Sequence, residues 1–429
     1  MPSMLSHVVG HICSDIRPTE AVLLTQLRYY HGFGFQIMTA RRYDLDWLRV
    51  MVFGLLIFYH IGMVYVADWG FHYKSEHQAQ WLKSIMILIN QWRLPLLFLI
   101  SGIAMRFLLN KVELLRFIGL RTLRLWLPLL FGIWVVVPPQ LYVEMTVNGD
   151  LPDISYWTFY RAFFDLSHPY FEKYPSGIFP HVDVNHLWYI RELWYFSMYL
   201  LMIYLPLKLT GLFDYLTAFL AQHNRWSLLL VPALIMSLLS LTVFPDDSEG
   251  IRKAVGFSFL CWGFLMGWDR KFWQTVKHSR ALFLILAIGS FAVLIGYYHV
   301  VFSVRAEAAD GWVRVAEVVL VNVNRWLWIL MILGYATHYL NHNHQWLNYL
   351  NQAVYPYYIL HQSIIVVSAF YLASFDLGPI WEPLLVIIAT FVGCALGFEV
   401  IRRFAPLRLL FGLKVGVSSE GHKQEQKKP

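Results

Sequence analysis

Ten stretches of mostly apolar residues punctuate the chain, near 46–67, 82–108, 120–141, 187–206, 226–244, 253–269, 281–302, 316–339, 352–373 and 381–401. Each approaches the ~20 residues that a helix needs to cross hydrocarbon, the sixth being the shortest. The pattern predicts an all-α, polytopic membrane bundle of about ten spans. Shorter polar segments separate them. The longest, about 142–186, holds "ISYWTFYRAFFDL", whose apolar and aromatic side predicts a helix lying in the membrane interface. Its rings and carboxylates also suit a platform for an acceptor such as a sugar.

Composition supports this class. Of 429 residues, 58% are hydrophobic and only 14% charged, well below the roughly 25% usual in a soluble domain. The 18 Trp and 25 Tyr fit belts at the two membrane interfaces. The net charge of +7 calls for no nucleic acid, because much of it lies in short loops and the C-terminal tail. Arg41 and Arg42, "NKVELLRFIGLRTLR", "DRKFWQTVKHSR" and "IRRFAPLRLLFGLK" all fall on one side if the span count is even. The positive-inside rule then places both termini in the cytoplasm. Cys13, Cys261 and Cys394 are unpatterned and suggest neither disulfides nor a metal site. Nor does "HVDVNH" at 181–186 argue for a metal. Residues 1–40 carry no span and read as a poorly ordered extension. Residues 41–405 form the membrane domain and 406–429 a basic cytoplasmic tail.

Ionisable residues inside spans are costly and tend to mark function. In "DLDWLRVMVFGLLIFYH", Arg49 and His60 stand eleven residues apart, close to three helical turns and about 16 Å of rise. They share a face, and Asp46 lies one turn before Arg49, where it can pair with it. Arg49 can also be read as snorkelling to the interface. His60 suits either a hydrogen-bonded core histidine or a general base. In "NQWRLPLLFLISG", Arg93 lies at about the depth of His60 and would disfavour its imidazolium. Pro95, Ser101 and Gly102 read as structural, loosening the helix or allowing close packing. "RTLRLWLP" sets Arg121 and Arg124 three apart on one helix face. That pair serves as interfacial anchoring or as a pair of forks for polyphosphate. His186 in "VNHLWYIRELW" is placed to line the outer mouth, whereas Trp188 and Trp194 suit the aromatic belt. His361 in "YPYYILHQS" is too deep to snorkel; a core role and a cavity role are equally open.

Taken together, "DLDWLRV" with "FYH", "RLPLLFLISG", "RTLRLWLP", "HLWYI" and "YPYYILHQ" resemble the integral-membrane acyltransferase-3 family over about 41–405, and within it the branch that modifies envelope glucans. The resemblance implies transfer of an acyl group, succinyl or acetyl, from acyl-CoA to a hydroxyl of a carbohydrate or other envelope molecule, in the inner membrane of a bacterium. It makes His60 the catalytic histidine and Arg49 its support. Arg121 and Arg124 would hold the phosphates of acyl-CoA, the co-substrate, with no resident cofactor. No nucleophile elbow is present, so direct attack by an acceptor hydroxyl deprotonated by His60 fits, with Arg93 or Arg49 stabilising the oxyanion. The stripe from Arg49 to His60 would line a path for the donor. The competing reading is a secondary transporter or flippase for an anionic or glycan substrate. Against it, no inverted repeat or pair of broken helices is apparent.

Overall fold

The computed structural model describes residues 41–165, 167–174, 184–245, 247–301 and 311–414. The expectation for 1–40, most of "HVDVNH" and the end of the basic tail lie outside those residues. Described elements are helical apart from one isolated bridge between Val66 and Ala79. In chain order they are α1 (Tyr43–Tyr65), α2 (Leu82–Leu109), α3 (Leu114–Phe131), α4 (Pro138–Val147), α5 (Tyr156–Ala162), α6 (Trp188–Leu209), α7 (Leu212–Leu220), α8 (Arg225–Thr242), α9 (Ser248–Met266), α10 (Arg270–His278), α11 (Arg280–Val300), α12 (Gly311–Tyr339), α13 (Leu347–Ala373), α14 (Gly378–Ile401) and α15 (Ala405–Leu410).

Eight of these segments are long and apolar enough to cross a membrane, α3 and α4 counting as one of 34 residues. A ninth arises if α6 and α7, bent by 101°, are one span. The expected sixth span exists as α9, yet it does not reach the apolarity of the other eight. Its opening turns carry Glu249, Arg252 and Lys253. Within the segment expected at the interface, Tyr156–Ala162 forms the short helix α5, capped by Ser155, whose side chain accepts from Thr158 N–H. The end of the bundle where α1 begins is called the terminal end below, and the opposite one the far end.

α1 starts with Asp44 and Asp46 in its first turn, where acids favour the helix N-terminus. At its far end, Lys74 Nζ donates to the carbonyls of Met63 (2.8 Å) and Val66, which would otherwise lack partners. α1 packs on α2 and α13, α2 on α9, α3 on α6, and α13 on α4 and α14, while α12 gathers α8, α10 and α11. Two glycines make the α2–α9 crossing possible. A Cβ on Gly102 would collide with the Leu260 carbonyl, and one on Gly263 with the Leu99 carbonyl.

Prolines stand inside α2, α3, α6, α8, α13 and α14 and at the start of α4, and each frees the carbonyl four residues earlier. In lipid such a carbonyl must find another donor. Arg325 Nε donates to Gln91 O (3.0 Å) below Pro95. Tyr355 Oη donates to Arg124 O (3.2 Å) below Pro128. Tyr160 Oη donates to Trp134 O (2.9 Å) below Pro138. Trp326 Nε1 donates to Leu228 O (2.8 Å) below Pro232. Side chains of neighbouring helices thus lock these four breaks. Trp326→Phe keeps most of the ring volume and removes one donor. It is expected to cost about 1–3 kcal/mol, the price of a buried orphaned acceptor, seen as a lower melting midpoint of the purified protein. An unchanged midpoint would mean that the carbonyl finds another donor.

Candidate active site: a histidine pair beside a buried arginine

α1 and α13 bring His60 and His361 together. His60 Nδ1 lies 2.8 Å from His361 Nε2, and the rings sit 5.0 Å apart. His361 is fully buried, whereas His60 keeps accessible surface. The hydrogen bonds fix the tautomers. A carbonyl only accepts, so His361 Nδ1–H donates to Tyr358 O at 2.7 Å. In a neutral ring, His361 Nε2 then carries a lone pair and accepts from His60 Nδ1–H. This leaves His60 Nε2 as a lone pair, and no described residue bonds to it.

Arg93, 3% exposed, lies within electrostatic reach of both histidines. Its guanidinium stacks 3.5 Å over the Tyr59 ring, and its Nε and Nη1 have no hydrogen-bond partner. The expectation that Arg93 lies near His60 therefore holds. A buried cation with unbonded N–H groups beside a free imidazole lone pair can serve a negative charge that appears during a reaction.

His186 lies on the far-end side. Its ring is 5.4 Å from that of His361. It is buried rather than open at a mouth, because Nε2–H donates to Ile359 O (3.0 Å) and Nδ1 accepts from Gln140 Nε2 (3.3 Å). Gln140 also donates to Ser363 Oγ (2.6 Å) and accepts from Gln362 Nε2 (3.1 Å). Gln362 reaches Asn185 Oδ1 (3.0 Å), which also accepts from the His186 backbone N–H (2.7 Å) and from His72 Nε2 (3.2 Å). His72 Nδ1 lies 2.5 Å from Glu144 Oε2, half-exposed at the far end. A satisfied polar network thus fixes His186 and ties the 66–81 loop to α4 and α13. Asn185 holds a positive φ of 49°, a region that Asn tolerates better than most residues.

At the terminal end, Asp46 pairs with Arg49 (3.6 Å) as its spacing implies, and more closely with Arg41 (2.9 Å). Arg121 and Arg124 part company. Arg121 is half-buried, donates from Nε to Ser197 Oγ (3.1 Å), and keeps an unbonded Nη2. It feels the charges of Arg49 and Arg124. Arg124 is exposed. Trp188 lies under the Arg252 guanidinium (4.0 Å), and Trp194 Nε1 bonds to Thr122 Oγ1 (3.0 Å). Between Arg49 and His60 no continuous polar stripe appears. Phe53 packs on Tyr358 (5.5 Å) and Tyr189 (6.3 Å), and Tyr189 on Phe98 (4.7 Å). These rings lie between the arginines and the histidines.

Sequence reasoning missed His72, Gln140, Glu144, Asn185 and Gln362. The two glutamines did carry a signal, being amides within apolar runs. His72, Glu144 and Asn185 carried none.

Comparison with known proteins adds an independent line. A family described as an acyltransferase domain matches residues 42–399. Glucans biosynthesis protein C from Escherichia coli O1:K1 / APEC is 21% identical over 401 residues, covering 90% of this chain and 98% of the relative. The protein of the same name from Escherichia coli strain K12 / DH10B matches with the same identity and coverage. No solved structure matches the chain.

Proposed function

The chain belongs to the acyltransferase-3 family of multi-pass membrane proteins, and from that premise we propose that it moves a succinyl or acetyl group from acyl-CoA to a hydroxyl of an envelope glycan, with His60 as general base. The relatives named for glucan biosynthesis suggest the acceptor. The observation that carries the reading is the relay Tyr358 O, His361, His60, which leaves His60 Nε2 as the free base.

In this reading the acceptor hydroxyl gives its proton to His60 Nε2 as its oxygen attacks the thioester carbonyl. The carbonyl oxygen becomes an oxyanion and is met by the unbonded N–H groups of Arg93. Collapse breaks the C–S bond. The departing thiolate takes the proton from His60, so free CoA thiol and the new ester leave, and the histidine is restored. His361 acts through His60: it holds the tautomer and stabilises the imidazolium that forms. The lysine- and arginine-rich loops support cytoplasmic termini in a bacterial inner membrane, with Arg49, Arg121 and Arg124 at the side where acyl-CoA is found. The donor's path then runs past the Phe53, Tyr189 and Tyr358 rings.

The donor assignment is tested at the arginines. Arg121→Ala is expected to weaken acyl-CoA binding by about 1.5–3 kcal/mol, the worth of a charged hydrogen bond. Arg124→Ala should weaken it less, because an exposed charge is screened. Turnover at saturating donor should change little in both. Unchanged donor affinity in the double variant, measured by equilibrium binding of labelled acyl-CoA, would return the pair to membrane anchoring.

A further inference from the structure

A groove of about 510 Å³ lies between α6 and α9, separate from the histidines. Phe196 forms its inner wall and packs on Phe98 (5.2 Å), which also packs on Tyr189 of the aromatic cluster. The lining is graded with depth. Arg191 and Glu192 lie in the opening turns of α6, and Glu249 and Lys253 in those of α9. Both helices begin at the far end of the bundle. Tyr195, Tyr199 and Phe257 follow further in. Tyr199 stands eleven residues after Trp188, about 16 Å along the helix. Beyond it the same helix presents Met202 and Ile203, both exposed. The groove is therefore polar at the membrane boundary and apolar along the hydrocarbon.

The polar mouth has both signs of charge. Arg191 pairs with Glu192 (3.2 Å), and Lys253 with Glu249 (2.7 Å). Glu192 is only 3% exposed, so a carboxylate is held where burial is costly. These cations, joined by Arg252 at 3.6 Å from Glu249, and the two carboxylates complement a ligand that also carries both signs. A phosphate meets Arg191 and Lys253; a primary ammonium donates to Glu192 and Glu249. A purely anionic headgroup would set its phosphate against two carboxylates. A quaternary ammonium has no hydrogen to donate to them.

The geometry points to a binding site for a phospholipid with a phosphoethanolamine headgroup, its chains running along Tyr199, Met202 and Ile203. This site is independent of the acyl-transfer reading, and either stands without the other.

Native mass spectrometry of the delipidated full-length protein, titrated with phosphatidylethanolamine, phosphatidylglycerol or phosphatidylcholine, tests it. The ethanolamine lipid should bind at about tenfold lower concentration than the other two, the worth of one charge-assisted hydrogen bond. Glu192→Gln should abolish that preference. Glu249→Gln, at an exposed position that tolerates change, should reduce it about two- to fivefold, as expected for an exposed ion pair. Equal or stronger binding of phosphatidylglycerol would overturn the proposal. So would a preference that survives Glu249→Gln together with Tyr199→Ala, or displacement of the lipid by a glucose pentasaccharide, which would make the groove a sugar site.

Discussion

His60→Ala is expected to lower acyl transfer by about 10²–10⁴-fold, the usual contribution of a general base, while the protein stays folded and still binds donor. Folding should survive because His60 keeps accessible surface and its only described hydrogen bond is to His361. Donor binding should survive because Arg121 and Arg124 are on other elements at the terminal end. The rate of the unaltered protein should fall at acid pH as the imidazole is protonated, and that limb should be absent from the variant's residual rate. A purely structural histidine behaves differently: yield and melting midpoint drop, and the surviving protein turns over normally. Specific activity and melting midpoint measured on the same preparation separate the two.

The second large effect concerns stability. Asp44→Ala should destabilise the protein by about 3–5 kcal/mol, the cost of stranding one member of a buried ion pair. Asp44 is fully buried and takes both Arg42 Nε (2.8 Å) and Arg42 Nη2. Arg42 in turn bonds Thr337 Oγ1 (3.1 Å) on α12 and stacks 3.5 Å over the Trp273 ring of α10. The pair therefore fastens the start of α1 to two other helices. Asp44→Ala alone leaves the guanidinium buried without its counter-charge. The double variant Arg42→Met with Asp44→Ala should recover part of the loss, since an apolar replacement leaves no orphaned charge. Thermal unfolding of the single and double variants measures this. A double variant less stable than the single would mean that Arg42 contributes chiefly through Trp273 and Thr337.

Much of the bundle was legible in the chain because a bilayer demands long apolar runs, and those runs are visible without knowledge of packing. All ten expected segments have a long helix. Two fall short of a span by themselves: α6, which qualifies only together with the bent α7, and α9, the expected segment with the shortest apolar run, whose opening turns are charged. The site was partly legible for the same reason. Arg93, His60 and His361 stood out because charge and imidazole are rare in such runs. Their mutual contact did not, because His60 and His361 are 301 residues apart and only the packing of α1 on α13 joins them. The Arg49–His60 stripe misled in a definite way. Helical spacing correctly set both on one face of α1, yet it says nothing of what neighbouring helices place against that face. There Tyr189 and Tyr358 pack around Phe53. Arg42 and Asp44 looked like boundary charges, and Arg325 drew no notice. Each turned inward to satisfy a partner that only the folded bundle supplies: each other, or a carbonyl freed by Pro95.

The central claim is that this bundle consumes an acyl thioester to esterify a glycan through His60. The most direct measurement follows thioester content in proteoliposomes holding the full-length protein, labelled succinyl-CoA or acetyl-CoA, and a glucose oligosaccharide as acceptor. The account predicts loss of one of these thioesters that depends on acceptor, with label appearing on the sugar in equal amount, and neither in the His60→Ala protein. Movement of the oligosaccharide across the membrane with both thioesters intact would contradict it and identify a transporter instead.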